Sequence, residues 1–598
     1  QRIEQLRDNQ PDVAEKHLRD LYKAHPEKDV LVIELAGLVQ ELGQYDEARE
    51  LCVDYLRRHP DEPRVIVLLA DLTMQTEGFE GARRLIHRAI QLAQPAHHQG
   101  IAMLLASIAD EVFRAGNPAS AYAHLRRSIR FAPPELESSL MMLLSSWTTR
   151  ITDYFPLLGS FELLPVELAD EHRDAEQRAR RLSDLGCWEP SAILYTRLLK
   201  DNPDNGPLWF NLGLFYLWDD RTAQAAAALH KAADLIEDFD TAVEAETLAV
   251  LLDLETSDDR INTAASSIPV QHPRELSSRL QSNDRFQLSS ANSELLSTEM
   301  SQDYFRILAN VPRADDGGQE ELGSVVITAN VEGDPLQHMV TVTADEDRLH
   351  EAWALVRETA GDCIDSDAET GEPEITGSVP TDFADFNWNV DFDPSLPAVK
   401  LRAAVNDRLA TSVDAWLQRP QARLNDLSPL QAAEDPQLKV RTAAAVIVLY
   451  SIAQRLNHEI QPDELRTRLG LPAPTGRTLD AERTVEGVPL LHYLQLSLSE
   501  LTDSQLLQLA NRVGLIRDVG LLEQVVDELF NRPDALAEYT PRRAHMMRAL
   551  VARFRNRVDE MAQSFDAARE AAQADADHFQ SRLELCLLYT SPSPRDQS

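Results

Sequence analysis

Cysteine and lysine are scarce in this chain, and each shortage excludes something. The four cysteines among 598 residues, Cys52, Cys187, Cys363 and Cys586, are scattered and form no C-x-x-C pair, so neither a disulfide framework nor a zinc site is expected. Only 7 of the 58 basic residues are lysine, and the formal net charge is −40. So acidic a surface repels phosphate backbones, and no nucleic-acid partner is expected. The longest apolar run, Ala443 to Tyr450, is far shorter than the ~20 residues of a membrane span. No secretory leader opens the chain, so no membrane is expected and the cytoplasm is the expected compartment. Nucleophile–base pairs, a glycine-rich phosphate loop after a strand and H-E-x-x-H are all missing. The expectation is therefore no catalytic, cofactor-binding or metal-binding residue.

What is present is a period. Ala14, Ala48 and Ala82 are spaced by 34 residues, and the frame Ala14, Leu18, Leu21, Pro26 returns as Ala48, Cys52, Tyr55, Pro60 with steps of 4, 3 and 5. The fullest copy is Trp209, Leu212, Gly213, Tyr216, Ala225, Leu229 and Ala232. Apolar residues at helical steps over 206–234 predict two amphipathic helices packed on each other. Gly213 and Ala225 let them approach closely, and Pro26, Pro60 and Pro203 end their units. This frame resembles the tetratricopeptide (TPR) repeat, a helix–turn–helix module whose copies stack because one unit cannot bury its own apolar face.

The expected fold is mostly α: a TPR-like α-solenoid with an inserted small α+β domain and a helical carboxy-terminal half. A first array over 1–134 precedes a helix and ordered excursion over 135–171. A second array follows at 172–253. Between 254 and 395 helical periodicity fades, and strands are expected at Ser267–Val270, Arg285–Leu288, Tyr304–Leu308, Val325–Ala329, Met339–Val342 and Phe386–Phe392. Helices are expected at Pro273–Gln281 and Glu346–Ala360, and 361–376 reads as an exposed acidic loop. Residues 301–400 hold 22 Asp or Glu against 5 Lys or Arg, which reads as a solvated surface more than a docking face. A helical domain over 396–490 and a repeat-like region over 491–585 complete the natural chain. One long helix is expected over 488–530, and a last pair over 541–574 carries Ala562 and Ala568. The opening at Gln1 already reads as helix, so an upstream piece is expected. The end, 586–598, resembles a translated sequencing adaptor.

Trp416, Leu417, Pro420, Leu424, Leu427, Ser428, Pro429 and Ala432 form a run similar to a segment of uncharacterised bacterial repeat proteins. Some of those carry an amino-terminal SEC-C zinc motif, which has no counterpart here. A looser likeness is to the toxin-binding end of certain antitoxins, whose glycines before the Ser-Pro step are replaced here by Asn425 and Asp426. Two other clusters read as surface: the adjacent His97 and His98, and the carboxylates Asp362, Asp365, Asp367 and Glu369, whose spacing misses the glycine and final glutamate of a calcium loop.

The family resemblance implies a concave groove lined by the first helix of each unit. Its positions are Val30, Ile33, Gly37, Gln40 and Glu41 in one unit and Pro207, Phe210, Leu214, Leu217 and Trp218 in the fullest one. Lysine and asparagine at the fifth and ninth positions would clamp a terminal carboxylate; Ile33, Gly37, Phe210 and Leu214 stand there instead. An apolar groove suits an amphipathic helix or an extended apolar segment. The expected function is a non-enzymatic scaffold binding a protein partner, with Ile33, Phe210, Leu214, Leu217 and Trp218 as the partner groove. Coverage of the groove by the chain's own excursion is the competing reading. The alternatives are a sensor or enzyme with its site in 254–395, and an antitoxin-like module.

Overall fold

The computed structural model describes residues 10–256, 259–288, 295–297, 300–310, 321–330, 338–365, 370–386, 388, 398–456, 458–516, 518–555 and 557–572. The tail expected to be an adaptor lies outside them. The chain folds into two compact units, one built from Gln1–Glu255, Pro436–Arg455 and Gln461–Thr540, the other from Thr256–Asp435, Leu456–Ile460 and Pro541–Ser598. The helices of 396–490 are thus shared between the two units.

The first unit opens with antiparallel helix pairs: α1 (Pro11–Ala24), α2 (Asp29–Glu41), α3 (Tyr45–Arg58), α4 (Pro63–Leu92), α5 (His98–Arg114) and α6 (Pro118–Phe131). Helix α4 is really two, because Gly78 breaks it at φ +69°. Ala14, Ala48, Ala82 and Ala121 are fully buried at the crossings, as the 34-residue frame requires. After α7 (Pro134–Thr148) comes the irregular excursion, and then α8 (Asp170–Asp184), α9 (Trp188–Asp201), α10 (Gly206–Trp218), α11 (Thr222–Leu235) and α12 (Phe239–Thr256). Helices α10 and α11 cross closely. A Cβ added to Gly213 would stand 2.7 Å from Leu229 Cγ, so only glycine allows this approach. Asn205 caps α10 by accepting from the Leu208 amide at 3.0 Å.

The inserted domain is a seven-stranded antiparallel sheet carrying two helices. Its parts are β1 (Arg260–Pro269), α13 (Pro273–Gln281), β2 (Phe286–Leu288), β3 (Leu295–Ser297), β4 (Met300–Leu308), β5 (Glu321–Asn330), β6 (Met339–Asp345), α14 (Leu349–Ala360) and β7 (Glu374–Pro380). The order is β2-β4-β5-β6-β1-β7, with β3 pairing β4. Alternate residues of β6, Val340, Val342 and Ala344, face a core shared with Leu276, Leu280, Trp353 and Val356 of the helices. Trp353 donates its indole N–H to Ser266 Oγ at 2.7 Å, which satisfies the one polar atom of that ring.

One expectation fails here, and a second lies mostly outside the described residues. The acidic stretch 361–376 is not one exposed loop: Cys363 and Ile364 are in the core, and Glu374–Pro380 is a strand pairing with β1. Charged residues are tolerated on β7 because it is an edge strand. The strand expected at Phe386–Phe392 begins instead as a 3-10 turn over Thr381–Phe386, and its remainder lies outside the described residues except Trp388.

The remaining helices are α15 (Ala398–Gln418), α16 (Pro429–Ala432), α17 (Lys439–Arg455), α18 (Pro462–Arg468), α19 (Leu490–Tyr493), α20 (Asp503–Ile516), α21 (Val519–Asn531), α22 (Pro533–Tyr539), α23 (Pro541–Phe554) and α24 (Val558–Glu570). The single helix expected over 488–530 is three. In the last pair Ala568 is buried with Ala549 and Phe565, whereas Ala562 is exposed. No helix of the described residues is long and apolar enough to cross a membrane.

The Trp416–Ala432 run has a local structural reason. Ser428 and Gln431 form a capping box that starts α16, Pro429 sits in its first turn, and Trp416 and Leu424 are buried. Between them Asn425 and Asp426 are held at φ +57° and +60°, the left-handed conformation that glycine adopts freely. Asp426 is exposed, so its side chain adds little packing. Asp426→Gly should therefore stabilise its unit by a few tenths to about 1 kcal/mol in urea unfolding. A loss instead would mean that the aspartate does more than fill the turn.

Candidate functional site: the faces of the helical repeats

Of the five groove residues, three have no surface to offer. Phe210 is 1 % exposed, and Leu214 and Leu217 are 0 %. The expected exposed apolar patch on α10 is therefore absent. Helix α6 crosses the end of α10, where Ser120 Oγ donates to the Trp218 carbonyl at 2.8 Å and Asn117 Nδ2 to Asp220 Oδ1 at 2.7 Å. Trp218 is half-buried, its ring 5.9 Å from Trp188 and 6.1 Å from Phe215. Phe210, Leu214 and Leu217 are core residues of their unit.

The excursion packs on other residues of α10, Leu208, Leu212 and Phe215. Residues 160–169 run without helix or strand, and Leu163, Val166 and Leu168 pack against a cluster containing Ala179, Tyr195, Leu208, Leu212 and Phe215. Asn211, fully buried on α10, holds the strap through its backbone. Its Oδ1 accepts from the Leu164 amide at 2.7 Å, and its Nδ2 donates to the Leu164 carbonyl at 2.9 Å. The Leu164 carbonyl also accepts from Arg180, which in turn holds Glu176. Tyr195 donates to Glu176 at 3.0 Å and Asn205 Nδ2 to the Glu167 carbonyl at 3.2 Å. The residue counting missed Asn211, although it is the one polar side chain in the apolar run from Leu208 to Leu217.

The inner face of the first repeats is different. Ile33 is half-buried on α2, and equivalent steps on α4 and α5 carry Val67 and Ala106, both half-exposed. At the near end Val30 is 48 % exposed and Met103 is 55 % exposed. A Cβ on Gly100 would lie 3.6 Å from Val67 Cγ1, so α5 and α4 meet closely there. Toward the other end the face turns polar, with Gln40 Nε2 donating to Gln75 Oε1 at 3.1 Å and to Asp71 Oδ2 at 3.4 Å. Burial raises the Asp71 carboxyl above its ordinary range, against the Gln40 hydrogen bond.

A buried ionic knot joins α4 to the second array. Asp219 Oδ2 lies 3.2 Å from Arg83 Nε and 3.0 Å from Arg221 Nε, and its Oδ1 is 3.5 Å from His87 Nε2. Glu189 completes the knot, accepting from Arg221 at 2.9 Å. The neighbouring His87, 3.9 Å away, and then Arg221 pull the Glu189 carboxyl down to about 2. Desolvation pushes Asp219 up to about 6, although His87, Arg83 and Arg221 all oppose it. Such a knot is structural, since both carboxylates are engaged by arginines.

Glu275, Asp362 and Cys363 approach one another, but the Arg279 guanidinium stands 2.6 Å from each carboxylate. Asp367 and Glu369 lie outside the described residues. His97 accepts the Gln94 amide at 3.1 Å, and His98 packs edge-on against Phe131.

Residues 5–72 match the tetratricopeptide-repeat family profile, over the helix pairs whose crossings hold Ala14 and Ala48. The chain carries tetratricopeptide repeats. Solved structures similar to it include YrrB, described as a TPR protein with an unusual peptide-binding site, at 12% identity over 38% of this chain and 97% of that one, with a TM-score of 0.18. The TPR2AB domain of yeast Sti1, in complex with an Hsp90 peptide, is similar at 15% identity over 37% of this chain and 82% of that one, TM-score 0.17. Yeast Tom70 is similar at 13% identity over 98% of this chain and 94% of that one, TM-score 0.16. At these scores the likenesses carry no argument about function. No curated protein matches the chain.

Proposed function

We propose that this TPR chain is a non-enzymatic scaffold that captures a partner protein on the inner face of its first repeats. The observation that carries the reading is the apolar content of that face, with Val30 and Met103 exposed and Ile33 and Val67 half-exposed on its successive first helices. Three successive first helices contribute to it, which is the width needed to seat an amphipathic helix or an extended apolar segment. Phe210, Leu214 and Leu217 leave the proposed site because they are core, and Trp218 contributes at most an edge. The net charge of −40 favours a protein partner over nucleic acid.

The test places a photo-crosslinking amino acid at Met103 or, as a control, at Ile193, an exposed residue of α9. Position 103 should capture one discrete protein from an extract of the source cells, and position 193 should not. Adding Ile33→Glu and Val67→Glu should reduce that capture at least tenfold, an effect of about 1.4 kcal/mol or more. Equal capture at both positions, or capture indifferent to the two glutamates, would remove the reading.

A further inference from the structure

We infer that residues 160–168 are a resident peptide ligand of the second array, and that the surface beneath them receives an extended, leucine- and proline-containing segment of a partner when this strap lifts. The strap is held as a ligand is held. Asn211 reads the backbone of one residue, Leu164, through both its N–H and its C=O, at 2.7 and 2.9 Å, as a neighbouring β-strand would. Recognition of backbone is indifferent to which chain provides it.

Burial points the same way. The receptor groups are more deeply buried than the strap: Asn211 and Tyr195 are fully buried, whereas Leu163, Leu164, Val166 and Leu168 are half-exposed and Pro165 and Glu167 are exposed. A polar chain runs from Tyr195 to Glu176 to Arg180 and converges with Asn211 on the Leu164 peptide. Placing four polar side chains in an apolar repeat is costly unless they are satisfied, and an extended backbone laid across them satisfies them. A tethered loop has no need of such a device, because three apolar side chains already hold it by burial. The strap makes no helix or strand of its own, so lifting it breaks these contacts, the Glu162–Arg483 ion pair and the Ser160–Glu486 hydrogen bond, and no backbone ladder.

The occupant's chemistry follows from the strap's. It is an extended segment with apolar side chains at the places of Leu163, Val166 and Leu168, a free amide and carbonyl at the place of Leu164, and proline tolerated next to it, because Pro165 is exposed and the hydrogen bonds come from its neighbours. This site is separate from the inner face around Met103, so each can fail without the other.

The test uses the full chain. In a variant carrying Leu163→Ser and Leu168→Ser the strap loses two of its apolar anchors. A fluorescent peptide copying residues 160–169 should bind this opened variant at least tenfold more tightly than the parent, by anisotropy. Adding Asn211→Ala to the opened variant should remove that gain, and a scrambled peptide should bind neither. An opened variant with the parent's circular dichroism and a cooperative melt that fails to bind would overturn the proposal, as would indifference to Asn211→Ala. Should the opened variant fail to fold, hydrogen exchange in the parent decides. The Leu164 amide should exchange through local opening while the α10 amides stay protected; exchange of both together would overturn it.

Discussion

Phe210→Ala should lower the unfolding free energy of the repeat-bearing unit by about 3–5 kcal/mol, the cost of emptying a buried aromatic site in a core that relaxes only partly. The side chain is 1 % exposed. Leu214→Ala should cost about 2–5 kcal/mol for the same reason. Trp218→Ala should cost less than Phe210→Ala despite the larger ring, because tryptophan 218 keeps part of its surface in water. The check is urea unfolding followed by circular dichroism, with the slope compared between variants so that a change in the denatured state is not mistaken for a change in the core. A cost below about 1 kcal/mol for Phe210→Ala would mean that the residue is at the surface after all, and the partner groove would return to α10.

That reversal shows how far residue patterns carry. The alanine frame was legible because a helix crossing tolerates only a small side chain, and Ala48, Ala82 and Ala225 are all fully buried as the period requires. The β1, β4, β5 and β6 strands were legible because one face of each is apolar. Position within a repeat tells which way Phe210 points; it cannot tell that the residue ends up 1 % exposed. The edge strand β7 was misread because Glu372, Glu374 and Gly377 look like a loop, and an edge strand may look so without penalty. Asn425 and Asp426 stood in the sequence as departures from a glycine pattern, and the structure returns them as left-handed turn residues. The ionic knot was invisible, since Arg83 meets Asp219 across 136 residues and no local pattern records such a pairing.

The knot supplies the other large effect. Asp219→Ala should destabilise the same unit by about 3–5 kcal/mol at neutral pH, because it leaves the buried Arg83 without its carboxylate and Arg221 with Glu189 alone. This cost arises although the carboxylate is itself uncomfortable there. Desolvation holds its pKa at about 6, above its ordinary 3.8, so the fold prefers it protonated. A raised carboxyl pKa contributes stability that is complete below about pH 3.8 and is lost as pH rises through about 6. Asp219→Asn cannot titrate and lacks that contribution at every pH. The stability of the parent minus that of Asp219→Asn should therefore fall between pH 4 and pH 6, by on the order of 2 kcal/mol. Glu189, whose carboxyl is held near 2 by His87 and Arg221, works in the opposite direction, losing its contribution as pH falls below its ordinary range. Because Glu189 is present in both proteins, the difference between them isolates Asp219 to the extent that the two carboxylates do not interact. Urea unfolding of parent and variant at half-unit steps from pH 4 to pH 7 measures it. A difference that is flat, or that rises with pH, would show that the arginines dominate over burial and that Asp219 is ionised in the fold across the whole range.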